Sequence, residues 1–129
     1  MVETVEPVAV EEQMKVTELE GALLAEWVAR ALGFPSADAV PVEQCGWEQI
    51  EDESFRKDWA PHEDWEQGGP LIEHKRITVQ ASQAGDWRAY MSDGWGADGV
   101  QKRGDTPLIA AMRAYVASKF GDEVADDTK

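Results

Sequence analysis

Residues 104–124 read GDTPLIAAMRAYVASKFGDEV, and this stretch decides the fold because every local signal in it specifies one buried helix. Thr106 is a favoured N-cap, and Pro107 supplies the fixed φ and missing N–H that suit a first helical position. Gly121 can adopt the conformation that ends the helix. At 100° per residue, Leu108, Ile109, Met112, Tyr115, Val116 and Phe120 form a broad apolar arc, and Ala110, Ala114 and Ala117 line the opposite side. Arg113 and Lys119 are the charged residues between Pro107 and Gly121, in a chain that is 29% charged. The helix is therefore expected to be buried on nearly all sides, and its alanine side could also pack against a second copy.

Working outward, Thr17 and Glu20 have capping-box spacing, which predicts a helix from Glu18. Leu19, Leu23, Trp27 and Ala31 share its inner side, and Gly33 before Phe34-Pro35 stops it. Residues 34–69 hold three prolines and many acids, which predicts an irregular region with short turns or strands at most, pinned to the core by Trp47, Trp59 and Trp65. Gly68-Gly69-Pro70 reads as a sharp bend. Beyond it, Ile77, Val79 and Ala81 alternate with polar residues as a half-buried strand, with Leu71-Ile72 as its start or a preceding turn and a bulge at residues 74–76. Residues 82–86 then form a hairpin turn, and Trp87, Ala89 and Met91 mark the second strand. Residues 93–104 read as a glycine-rich loop.

The expected fold is thus α+β: a small antiparallel sheet, a hairpin plus possible further short strands, packed with an N-terminal helix and a buried C-terminal helix. The expected organisation is a mobile extension over 1–13, one domain over 14–124 and an acidic tail over 125–129. The 129 residues suit a single core, and the absence of a long apolar run predicts a soluble cytoplasmic protein. The one cysteine, Cys45, cannot form an internal disulfide and is compatible with a reducing compartment. A net charge of −14 opposes direct binding to nucleic acid. That charge is uneven. Nine acids against Arg56 and Lys57 leave −7 between residues 43 and 66, whereas residues 67–104 carry +1.

Three stretches, MKVTELEGALLAEWVA (14–29), DWEQGGPLIE (64–73) and the helix segment TPLIAAMRAYVASKFGDEV (106–124), resemble the NinX-like phage proteins of the lambdoid nin region, a domain of unknown function. Family members commonly read DWAQGGPIIE and CYVASKLGDEV, so Glu66, Leu71, Ala114 and Phe120 are mild departures, and the cysteine usual at the position of Ala114 is absent. The resemblance implies a small phage or prophage accessory protein of the bacterial cytoplasm and brings no activity with it.

The residues themselves point to binding rather than catalysis, with no catalytic residue, metal ligand or cofactor assigned. His62, Glu63, Asp64 and His74 lack the convergent spacing of a metal cage, and Cys45 has no histidine nearby in sequence to activate it. Gly94, Gly96 and Gly99 do not continue into a Walker or dinucleotide motif. A small anionic, nucleotide-like ligand would use the aromatic and cationic residues Trp65, Trp87, Arg88, Tyr90, Trp95, Arg103, Thr106 and Arg113. The other reading is an acidic protein-interaction module, or nucleic-acid mimic, that meets a host protein through the 43–66 block. Arg113 interrupts a nearly chargeless helix and needs an ion pair or carbonyl contact, for which Asp64 and Glu73 are the natural acids.

Overall fold

The computed structural model describes residues 13–91 and 100–125. Helix α4, Pro107–Phe120, lies at its centre, and the local signals at its ends are realised. Thr106 Oγ1 accepts the Ile109 N–H at 3.1 Å, Pro107 opens the helix, and Gly121 follows it with φ +90°. Leu108, Ala110, Ala111, Met112, Ala114, Tyr115, Val116 and Ala117 are all buried. The alanine side is therefore already covered within the chain and offers no face to a second copy. Phe120 departs from the expected arc: it is exposed at the helix end and meets Trp27 edge-on, ring centroids 5.3 Å apart.

One side of α4 is covered by a three-stranded antiparallel sheet in the order β4 (Thr78–Ala81), β5 (Trp87–Met91), β6 (Val100–Gly104). Val79↔Ala89↔Lys102 is one cross-strand row, and Ala89, at its centre, is fully buried. Helices α1 (Gly21–Ala31) and α3 (Trp65–Lys75) pack on α4 as well. Tyr115 is buried, and its hydroxyl donates to the Ala31 carbonyl at 3.1 Å, tying α4 to the end of α1. At the chain ends β1 (Gln13–Lys15) pairs with β7 (Glu123–Ala125), and Val16 N–H donates to Asp122 C=O. A short helix α2 (Val42–Cys45) leads into a separate two-stranded hairpin, β2 (Trp47–Ile50) and β3 (Glu53–Arg56). The architecture is α+β, as the sequence predicts.

Several local expectations are corrected. Helix α1 begins at Gly21, not Glu18. Thr17 lies in one turn of 3₁₀ helix, Val16–Glu18, and neither it nor Glu20 caps α1 through its side chain. Gly21 takes φ +58°, a region glycine enters without strain, so the chain turns there and Leu19 goes into the core instead of continuing the helix. The region 34–69 is less irregular than expected, because it holds α2 and the hairpin and gives way to α3 at Trp65.

Gly68-Gly69-Pro70 is no bend but the middle of α3. Asp64 caps that helix, its carboxylate accepting the Glu66 N–H at 2.9 Å. Gly68 lets the helix lie directly on the Pro61 carbonyl and Leu108: a Cβ there would stand 2.3 Å from the first and 2.7 Å from the second. Leu71 and Ile72 consequently belong to α3, and no bulge follows them. The helix instead closes at Arg76 in the left-handed conformation, with Ile77 N–H donating to Ile72 C=O at 3.0 Å.

The expected loop over 93–104 contains strand β6 from Val100 onward. Gly104 ends that strand where a side chain would meet the Ala110 N at 2.6 Å, so the glycine serves close strand–helix packing. Of the three tryptophans expected to pin the acidic region, only Trp59 does so. It is buried and its indole N–H donates to Ala25 C=O at 3.1 Å, while Trp47 and Trp65 are exposed.

Candidate functional site

The residues expected to hold an anionic ligand divide among several places. Cross-strand register puts Arg88 opposite Arg103 and Gln80, and Tyr90 opposite Gln101 and Thr78, so these six share the sheet face turned away from α4. Trp87 is on the other face, opposite Gly104 and partly buried against the core. The Thr106 hydroxyl is occupied as the α4 cap. Trp65 stands exposed on the first turn of α3, and Trp95 lies outside the described residues.

Arg113 is a structural clamp. Its Nε donates to Leu19 C=O at 2.9 Å and its Nη1 to Arg103 C=O at 2.8 Å, so it joins the turn before α1 to the end of β6. Its partners are carbonyls rather than Asp64 or Glu73. Asp64 instead caps α3 and binds Lys57 Nζ at 3.0 Å. Burial lowers the Arg113 pKa, opposed by Glu20 and Asp105, but a guanidinium stays charged at any physiological pH. Arg113→Met leaves two carbonyls without their charged donor. It is expected to cost about 1–2 kcal/mol, a fall of roughly 6 °C in melting temperature, read by calorimetry.

Between β6 and the turn before α1 runs an open cleft of about 440 Å³, bordered by Thr17, Asp86, Lys102, Arg103, Asp105 and Arg113 among others. Its charges largely answer one another. Lys102 Nζ binds Asp122 at 2.9 Å and holds that carboxyl below the usual range, and Arg103 Nε stands 3.9 Å from Asp86.

The acidic block of residues 43–66 contains an element that its composition does not announce. In the β2–β3 hairpin every residue from Trp47 to Arg56 is exposed, including the large apolar side chains of Trp47 (58%), Ile50 (50%) and Phe55 (45%). Register pairs Glu48 with Phe55 and Ile50 with Glu53, so two apolar and two acidic side chains interleave on one face. The base of this exposed element is held firmly. Lys57 N–H donates to Gly46 C=O at 2.9 Å, Arg56 Nη2 to Val40 C=O at 2.6 Å, and Lys57 Nζ also pairs with Glu66. Gln67, 3% exposed, completes the anchor: its Nε2 donates to Cys45 C=O at 2.7 Å and Asp58 C=O at 2.9 Å, one on each side of the hairpin. Its Oε1 accepts Ala60 N–H at 2.6 Å. The sequence signal for this was Gln67 itself, a polar residue on the helix face that Leu71 marks as inward.

With that geometry in view, the family model described as Bacteriophage P22, NinX matches residues 15–119. The chain belongs to the phage NinX family. The match spans α1, the hairpin, α3, the sheet and nearly all of α4, so the anchored hairpin and the buried helix both lie within the NinX unit. No curated protein matches the chain. At the position where NinX-like proteins commonly carry cysteine, Ala114 is fully buried in the core, which suits a packing role there and not an exposed thiol.

Among the described residues of this NinX chain, no three His, Cys, Asp or Glu side chains come together as a metal cage, and no helix is long and apolar enough to cross a membrane. His62 is buried, and among the described residues neither ring nitrogen makes a well-directed hydrogen bond, although Nε2 lies beside the Glu63 carboxylate. Desolvation lowers its pKa from 6.5, partly offset by Glu63, whose carboxylate is 3.4 Å away. The folded state therefore binds fewer protons than the unfolded state. The associated stability is complete above about pH 6.5 and is lost as the pH falls below it. Wild-type protein is expected to melt lower at about pH 5.5 than at about pH 7.5, and His62→Asn to show a smaller difference.

Proposed function

We propose that this phage accessory protein acts by binding, without catalysis, and that hairpin β2–β3 is its docking element. The observation that carries this is the exposure of Ile50 and Phe55 beside Glu48 and Glu53 on a two-stranded ribbon whose every residue is exposed. Such a ribbon is marginal by itself, and its apolar side chains gain nothing from the fold. Their burial requires a partner. The −7 charge of residues 43–66 selects a basic protein surface with an apolar socket, the kind of surface that proteins use to hold nucleic acid, and it speeds encounter with such a partner. A second copy at −14 is repelled.

A photo-crosslinking side chain at Phe55, introduced into the full chain in phage-infected cells, tests the reading. The adduct is expected to be a basic nucleic-acid-binding protein. In purified form it should bind the wild type in a salt-sensitive manner and in competition with nucleic acid. Ile50→Ser with Phe55→Ser should weaken binding at least about ten-fold at unchanged melting temperature. A self-adduct, or a partner bound equally by the double variant, contradicts the proposal.

A further inference from the structure

The sheet face turned away from α4 holds an arrangement that the hairpin reading does not use. Arg88 and Arg103 are direct cross-strand partners, and like charges so placed repel. Their neighbours on that face are Thr78, Gln80, Tyr90 and Gln101, with no carboxylate among them. The acid in reach is Asp86: one carboxylate oxygen accepts the Ser82 hydroxyl, the main reason it titrates below the usual range, and the other stands 3.9 Å from Arg103 Nε, with the charges of Arg103 and Arg88 lowering its pKa further. Arg88 Nε is shut off from solvent and has no acceptor among the described residues. A charged donor left this way is costly. An oxyanion accepting from the terminal nitrogens of the two guanidinium groups relieves the repulsion between them, the geometry in which arginine binds phosphate best.

Tyr90 adds a second element of recognition. It follows Arg88 by two residues on the same face, and its hydroxyl donates to Gln80 Oε1 at 2.7 Å, which fixes the ring beside the arginine pair. A tyrosine ring so held is a platform for a planar base, and Gln101 and Arg103 connect this face to the 440 Å³ cleft, where the rest of a ligand has room.

We infer that Arg88, Arg103 and Tyr90 form a binding site for a phosphate group carried by an aromatic base, that is, for a nucleotide. The site is separate from the hairpin. Calorimetric titration of the full chain with AMP, inorganic phosphate and adenosine tests it. AMP is expected to bind saturably and raise the melting temperature, with phosphate weaker and adenosine at least about ten-fold weaker than AMP. Arg88→Gln and Arg103→Gln should each weaken AMP at least about ten-fold, while without ligand they melt within about 2 °C of the wild type, because the repulsion each removes offsets the attraction to Asp86 that each loses. Tyr90→Ala should weaken AMP but leave phosphate affinity unchanged. Absence of saturable AMP binding up to about 10 mM, or AMP affinity unaltered in Arg103→Gln, overturns the inference.

Discussion

Gln67→Ala is expected to lower stability by about 4 kcal/mol, a fall of roughly 15 °C in melting temperature. The loss has three sources that share one side chain. Cys45 C=O and Asp58 C=O lose their donor, Ala60 N–H loses its acceptor, and a cavity opens where the amide was nearly fully buried. An unsatisfied buried group costs about 1–3 kcal/mol; the Cys45 bond is buried and the other two are half-buried, and together with the cavity they outweigh the small gain in helix propensity from alanine. Because two of the contacts flank the hairpin, the variant should also bind a hairpin partner more weakly in proportion to the freedom of the hairpin base. Denaturant titration separates the two effects: stability falls in the isolated protein, and the affinity loss appears under conditions where the variant is still folded.

Gly68→Ala carries the second largest effect, about 3 kcal/mol of destabilisation. Helix propensity alone argues the opposite sign, since alanine in a helix interior is favoured over glycine by about 1 kcal/mol. Sterics decide it. The added methyl would lie 2.3 Å from a backbone oxygen of Pro61, which cannot move without displacing its segment, and 2.7 Å from Leu108 Cδ2 on α4. Gly69→Ala is the internal control, because its methyl would find Trp65 Cε3 as its nearest neighbour at an ordinary 3.9 Å. That variant should be neutral or slightly stabilised. Thermal melts of the two alanine variants side by side check the sign as well as the size.

This pair of glycines also shows where the sequence was legible. Helix α4 is legible in its bounds and in its arc short of Phe120 because cap, proline, apolar spacing and terminal glycine agree, and strands β4 and β5 because their alternation is uninterrupted. Gly68-Gly69-Pro70 has the composition of a bend, yet Asp64 caps the segment locally as a helix and Gly68 allows the close tertiary approach that packs it on α4. Local propensity carries no record of that contact. Strand β6 was hidden for a similar reason, since VQKRG has little strand character of its own and is held by pairing along β5.

The candidate sites divide in the same manner. Net charge by segment marks the acidic block, but the exposure of Ile50 and Phe55 depends on the hairpin standing out into solvent, which no periodicity encodes. Arg113 and Thr106 were recognisable as important, and the structure gives both to the fold: one clamps carbonyls and the other caps a helix. Arg88, Tyr90 and Arg103 converge because β6 returns alongside β5. That pairing brings together residues that lie fifteen positions apart at Arg88 and Arg103, and the glycine-rich composition of 93–104 gives no sign of it.

The central claim is that a core built on α4 presents the β2–β3 hairpin to solvent, anchored at its base and exposed along its length. Amide hydrogen exchange on the full chain measures this directly. The account predicts that residues 110–117 of α4 exchange slowest and that Gly46 through Lys57 divides sharply, with the outer hairpin exchanging orders of magnitude faster than α4 and slowing when a partner is bound. Hairpin amides as protected as those of α4 in the free protein, or α4 amides exchanging as fast as the hairpin, would contradict it.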